Sequence, residues 1–199
     1  MCRLCYNVSN VEFQGARRMI HPDIERILFD GQTIQRRVES LAAEIERDYG
    51  GKAPLFVGIL KGSFIFLADL VRCVELPCDI DFLAVSSYGK ESETTGTVRV
   101  LKDLDSGIAG RDVIIVEDIL DSGMTLSYIM NMLQNRQPAS LSICTLLDKP
   151  SRRKAPVFAR YVGFQTPDEF LVGYGLDYSD RYRNIPSICV LKREIYETV

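Results

Sequence analysis

The stretch Val116–Leu126, VEDILDSGMTL, holds the chain's densest set of groups able to do chemistry. It begins at the end of an apolar run and enters a segment of helical period, the kind of strand-to-helix crossing where ligands collect in open parallel sheets. Glu117 and Asp118 are adjacent; within a strand they point to opposite faces, while near its end both can turn into a crevice. Asp121-Ser122-Gly123-Met124-Thr125 then makes a tight loop at a helix N-terminus, where the glycine permits close backbone approach and the first amides lack intrahelical partners. Such a loop cradles an anion, with the Ser122 and Thr125 hydroxyls as further donors for a phosphate. Three carboxylates beside a phosphate would repel it, so they must face something else: sugar hydroxyls, a hydrated Mg²⁺, or a proton to be moved. The plainer alternative makes Glu117 and Asp118 an ordinary polar strand end and Asp121 the N-cap of the next helix.

Other chemistries lack material. There is no GxxxxGK[ST], and no GxGxxG follows a strand. The single histidine, His21, lies in an irregular stretch before the first helix, which leaves a Ser-His-Asp triad without its base. Cys2 and Cys5 form a lone CxxC with no second pair at zinc spacing. With 24 Lys+Arg against 27 Asp+Glu, nothing global recruits nucleic acid or an anionic membrane surface. The basic run Lys149, Arg152, Arg153, Lys154 reads as a solvated loop rather than a nucleic-acid patch. The longest apolar candidate for a membrane span, Phe64 to Val71, is short and broken by Asp69. The first twenty residues lack the apolar stretch of an export signal, and Cys73, Cys144 and Cys189 sit in apolar segments as free core thiols, which suits a reducing cytoplasm.

The elements that must position these residues follow from periodicity. At 199 residues, 46% hydrophobic, the chain is sized for one packed domain. Ile34, Val38, Leu41, Ala42 and Ile45 recur at helical spacing from Thr33 until Gly50-Gly51. Short apolar runs at 54–60, 81–87, 112–118, 141–147, 170–174 and 187–191 read as buried strands, with helical segments at Ser63–Val74 and Thr125–Asn135 between them. The predicted fold is α/β, a mostly parallel twisted sheet flanked by helices. Ser87 to Gly110, polar and interrupted only by Thr97–Leu101, reads as a long hairpin or flap.

VEDILDSGMTL resembles the phosphoribosyl-diphosphate signature of the purine phosphoribosyltransferases, and three further motifs follow in the family's order. Leu60-Lys61-Gly62-Ser63 is similar to its pyrophosphate loop, and Ser87-Tyr88-Gly89 to the start of its mobile catalytic loop. Leu147-Asp148-Lys149-Pro150 with the stretch Phe170–Asp177 is similar to the purine pocket of the 6-oxopurine, or hypoxanthine-guanine, branch. The resemblance covers roughly Asp23 to Ile195. It implies a type I phosphoribosyltransferase domain over 23–199 with a small hood above the site, and an unassigned extension over 1–22. The implied reaction joins hypoxanthine or guanine to the sugar of phosphoribosyl diphosphate and releases pyrophosphate, with Mg²⁺ as cofactor.

By resemblance, Asp121 is the general base, and Ser122, Gly123, Met124 and Thr125 hold the 5-phosphate. Glu117 and Asp118 take the ribose hydroxyls and, with Asp177, supply oxygens to the metal. Lys61, Gly62 and Arg183 take the pyrophosphate, Ser87 and Tyr88 belong to a lid, and Lys149, Phe170 and Leu171 meet the base. Met124 departs from the polar or basic residue of many members, which removes a side-chain donor but leaves the amide cradle. The resemblance also implies a homodimer or homotetramer in the cytoplasm, with no nucleic acid and no membrane as partner. Two readings compete: a relative using xanthine or a pyrimidine, against which Lys149 and Asp177 speak, and a non-catalytic sensor, which would add a DNA-binding segment not apparent before the first helix.

Overall fold

The computed structural model describes residues 21–87 and 98–197. In chain order its elements are β1 (Ile24–Phe29), α1 (Gly31–Asp48), β2 (Leu55–Leu60), α2 (Phe64–Cys73), β3 (Asp79–Ser87), β4 (Val98–Lys102), β5 (Asp112–Leu120), α3 (Met124–Gln134), β6 (Ser140–Asp148), β7 (Tyr161–Gln165), β8 (Leu171–Val172), β9 (Ile188–Leu191) and α4 (Arg193–Tyr196), with a 3-10 turn at Pro150–Arg152. The main sheet runs β4-β3-β2-β5-β6-β7, parallel except for β4, which pairs antiparallel with β3 as the return arm of the expected hairpin.

Residue alternation along the strands divides the core. Phe56, Ile114, Val116 and Cys144 face α1 and α2, while Val57, Ile59, Ile115 and Ile143 face Leu126, Ile129 and Leu133 of α3. Helix α1 starts where Asp30 accepts the Thr33 amide at 2.7 Å and buries the five apolar residues expected of it. The chain leaves β2 toward β3 on one side, while β5 lies on the other, so the strand order reverses between β2 and β5. Their carboxyl ends open the crevice in which such sheets bind ligands. The Lys61-Gly62 loop follows β2 and the Asp121–Gly123 loop follows β5.

The hood is a second, antiparallel sheet, β1-β9-β8. Three expectations are corrected. The stretch before α1 holds the strand β1 rather than irregular chain, and 161–165 forms β7 at the edge of the main sheet. The run 170–174 is a strand only over Leu171–Val172, because Gly173, Tyr174 and Gly175 take φ of +95°, +51° and +103° and turn the chain out of register. No helix among the described residues is long and apolar enough to cross a membrane. Cys144 and Cys189 are buried as expected, whereas Cys73 is half-buried. The expected extension over 1–22 lies almost wholly outside the described residues, as do Tyr88, Cys2 and Cys5.

Candidate active site

Two cavities meet at the carboxyl end of β5. The first, about 510 Å³, is walled by Asp118, Lys149, Phe170, Leu171 and Asp177 among others. The second, about 250 Å³, is walled by Glu117, Ser122, Gly123 and Thr125 together with the end of β2. Asp121 and Ile119 line both. Glu117 and Asp118 thus keep the alternation of the strand and enter different chambers, one walled by the loop after β5 and the other by the hood.

Asp118 is buried and Glu117 half-buried. Glu117 Oε2 is buried without a hydrogen-bond partner, and Asp118 is 9% exposed with Oδ1 accepting the Ile119 amide at 2.8 Å. Burial, then the neighbouring Asp118, holds the Glu117 carboxyl well above the usual carboxylate range. Burial also raises Asp118 to about 6, against the pull of the Ile119 amide, Glu117 and Arg183. Among the described residues no three carboxylate, histidine or cysteine side chains converge on one point, so the chain's own groups fit a divalent cation only as one or two hard-oxygen donors, with water and ligand oxygens filling the rest of its shell. Asp177 faces the larger chamber with both oxygens engaged, Oδ1 with Arg183 at 2.8 Å and Oδ2 with the Asp180 amide at 2.8 Å.

The Asp121–Gly123 loop is fixed from outside. Gly123, with φ +78°, is the N-cap of α3, and the first intrahelical bond runs from the Ser127 amide to its carbonyl at 2.8 Å. Asp121 is therefore not the cap, and the amides ahead of Ser127 face out of the helix end. Asp121 Oδ1 is buried without a hydrogen bond; Arg152 Nε stands 3.1 Å from it, in ion-pair range but out of alignment for a hydrogen bond. The basic run is not solvated throughout. Arg153 reaches back to donate to the Asp121 carbonyl at 2.8 Å and pairs with Asp148, and the Lys154 and Ala155 amides bond the Ser122 carbonyl at 2.9 and 3.1 Å. Met124 is 53% exposed and outside both chambers.

Lys149 is buried, and its ammonium donates to the Glu169 carbonyl at 2.6 Å. Burial draws its pKa below the usual lysine range. Phe170 stacks one face on Tyr196, centroids 4.8 Å apart, and meets Tyr178 edge-on. Lys61 and Arg183 stand outside both chambers and converge on Asp180, at 3.2 and 3.3 Å. Gly62 lies against Asp118 and against Gly175. Ser87 is the last residue of β3.

A family model for the phosphoribosyl transferase domain matches residues 26–179. Hypoxanthine-guanine phosphoribosyltransferase of Bacillus subtilis is 48% identical over 180 residues, 90% of this chain and all of that protein, and the protein of that name from Staphylococcus aureus is 50% identical over 177, covering 89% and 99%. The chain belongs to the hypoxanthine-guanine phosphoribosyltransferase family. A solved hypoxanthine phosphoribosyltransferase from Staphylococcus aureus superposes with TM-score 0.88 at 48% identity, over 92% of this chain and all of that one. The enzyme of that name from Trypanosoma cruzi gives 0.85 at 41%, over 89% and 96%. The type I phosphoribosyltransferase fold expected from the motifs is the fold found.

Three groups of this phosphoribosyltransferase hold places at the site that the sequence did not lead one to expect. Arg153 grips the phosphate loop, Asp180 joins Lys61 to Arg183, and Asp168 lines the larger chamber paired with Arg152 at 3.1 Å. The charges in RRK, TPDEF and DYSDRYRN were the only signals, and charge alone reads as solvated surface.

Proposed function

We propose that the chain transfers the 5-phosphoribosyl group from phosphoribosyl diphosphate to hypoxanthine or guanine, releasing pyrophosphate and forming the nucleoside monophosphate. The observation that carries this reading is the position of Asp121 on the wall common to two chambers, with Lys149 and Phe170 in one and the phosphate loop in the other. A group that takes the purine's imidazole proton must touch the base while the sugar phosphate lies alongside. The 5-phosphate takes the amides and hydroxyls of Ser122, Gly123, Met124 and Thr125. Glu117 and Asp118 accept from the ribose hydroxyls. Lys149 keeps protons free for a carbonyl at the six-position, with Phe170 and Leu171 against the ring. Lys61, the amides around Gly62 and Arg183 take the pyrophosphate, for which both cations exchange their pairing with Asp180.

Glu117, Asp118 and Asp177 are the residues that would offer oxygens to Mg²⁺ alongside the ligand's own, and the ion would supply neutralisation of the anionic leaving group. Residues 23–199 act as one catalytic domain, and the same reading carries a homodimer or homotetramer in the cytoplasm, acting on neither nucleic acid nor membrane.

Purified chain incubated with phosphoribosyl diphosphate, Mg²⁺ and each of hypoxanthine, guanine, xanthine and adenine tests the proposal by pyrophosphate release. Release with hypoxanthine and guanine, lost in excess EDTA and restored by Mg²⁺, is expected. Absence of release with any purine, or full activity in EDTA, overturns it.

A further inference from the structure

Tyr174 stands in the left-handed region at φ +51°, between two glycines at +95° and +103°, an unfavourable conformation for a bulky side chain. The turn is held on every side: the Tyr174 amide donates to the Ile185 carbonyl at 2.7 Å, the Gly175 amide to the Arg183 carbonyl at 3.0 Å, and Arg183 Nη1 to the Gly175 carbonyl at 2.8 Å. It is here that the hood meets the loop after β2, because a Cβ on Gly175 would lie 2.1 Å from the Gly62 carbonyl oxygen. That contact is backbone on backbone and carries no conventional hydrogen bond. The Lys61–Asp180 pair alongside it is more than 70% exposed at both ends, and exposed pairs contribute little.

A partly buried side-chain tie between the same two parts is the Tyr174 hydroxyl, which donates to Asp69 Oδ2 at 2.7 Å across 105 residues of sequence. Asp69 lies on α2, and α2 moves with the loop, since the Ser63 hydroxyl donates to the Ile59 carbonyl at 2.7 Å and the Leu67 amide to the Ser63 carbonyl at 2.8 Å. We infer that the Tyr174–Asp69 hydrogen bond is a positioning contact that sets the Lys61-Gly62 loop against the hood, and so governs how tightly the diphosphate end of the sugar donor is held. The second half rests on the function proposed above. Both residues line a cavity of about 360 Å³ with Gln35 and Pro186, so water can reach Asp69 when the hydroxyl is removed, and the fold survives.

The test compares Tyr174→Phe, Asp69→Ala and Asp69→Asn by hydrogen exchange of the amides over residues 60–64 and by the Michaelis constants for both substrates. Tyr174→Phe and Asp69→Ala should speed exchange there at least about fivefold and raise KM for phosphoribosyl diphosphate by about as much, with KM for hypoxanthine within about twofold. The carboxamide of Asp69→Asn still offers an acceptor to the Tyr174 hydroxyl, so that variant should stay near wild type, and the double variant Tyr174→Phe/Asp69→Ala should be no worse than either single one. Unchanged exchange in Tyr174→Phe, Asp69→Asn as harmful as Asp69→Ala, or equal rises in both Michaelis constants overturns the inference. If wild-type protein lacks transferase activity while the exchange pattern holds, the positioning contact stands and the functional reading falls.

Discussion

Gly62 packs so closely on Asp118 that a Cβ built on it would lie 1.7 Å from Asp118 Oδ2 and 2.6 Å from Cγ. The loop after β2, the end of β5 and, through Gly175, the hood therefore meet at one backbone position with no room for a side chain. Asp118 is buried and bonded to its own neighbour's amide, so it cannot swing aside without losing that bond. Gly62→Ala should lower stability by about 1–3 kcal/mol, the usual cost of overpacking. For a domain of this size that is a melting-temperature fall of about 2–12 °C. It should also raise KM for phosphoribosyl diphosphate at least about tenfold. A thermal melt and initial rates check both, and a variant matching wild type in both would mean that Asp118 moves freely.

The buried acids give the ligand-free protein a pH dependence whose sign follows from their environment. Asp118 titrates near 6 when folded, against about 3.9 for an unperturbed aspartate. Between those values the folded chain binds more protons than the unfolded one, so this group's stabilising contribution is full below about 4 and is lost as pH rises through about 6. Glu117, raised in the same direction by burial and the neighbouring Asp118, adds to that loss. Glu117→Gln removes a carboxylate that costs stability at neutral pH. Its melting temperature at pH 7.5 should exceed that of wild type, while transferase activity falls at least about tenfold. Melts from pH 4 to 8 would contradict this if wild type gained on the variant as pH rose.

The crossing from β5 to α3 was legible because each half is locally unambiguous: four consecutive buried apolar residues, Val113–Val116, lead into a turn and then an amphipathic helix. β1 was not legible, because IERILF buries only its first residue fully and is a strand by virtue of its pairing with β9, near the other end of the chain. Gly173 within an apolar run hid the end of β8, since a positive φ leaves no mark in composition. Among the residues of the contiguous motifs, Glu117, Asp118, Asp121, Ser122, Gly123 and Thr125 line the two chambers, whereas Lys61 and Met124 do not. Arg153 and Asp180 act through partners brought close only by folding: Asp180 meets Lys61 across 119 residues, and Arg153 meets the Asp121 carbonyl across 32. The reading of Asp121 as an N-cap failed for a conformational reason, because a left-handed Gly123 takes that position.

Asp121→Asn separates chemistry from folding. The carboxylate caps no helix, and its buried Oδ1 makes no hydrogen bond that an amide would forfeit. Stability should change by less than about 1 kcal/mol, because the substitution gives up only the half-exposed ion pair with Arg152 Nε at 3.1 Å. A positioned base is worth about 10² to 10⁴ in rate, so kcat with hypoxanthine should drop by at least about 10², with phosphoribosyl-diphosphate binding within a few fold. Stopped or continuous assays of nucleotide formation decide it, and near-normal turnover refutes the base assignment.

Base choice turns on Lys149. Its ammonium carries three protons and no acceptor, and the Glu169 carbonyl at 2.6 Å engages one of them. The others can serve a six-position carbonyl but oppose the amino group of adenine. A buried site that pairs a polar group with a complementary one can discriminate by as much as about 10⁴ to 10⁵ against a base that leaves its groups unpaired. The competing view, a long side chain solvating the turn before Pro150, sits poorly with a residue 6% exposed. Lys149→Ala should raise KM for hypoxanthine at least about tenfold, about 1.4 kcal/mol, with little effect on KM for phosphoribosyl diphosphate. Lys149→Met, which keeps the packing and removes the charge, should do the same, so that loss of volume is told apart from loss of the donor. If wild-type protein uses adenine as readily as hypoxanthine, or both variants keep the wild-type preference, Lys149 does not read the six-position and the discrimination lies with other groups of the larger chamber.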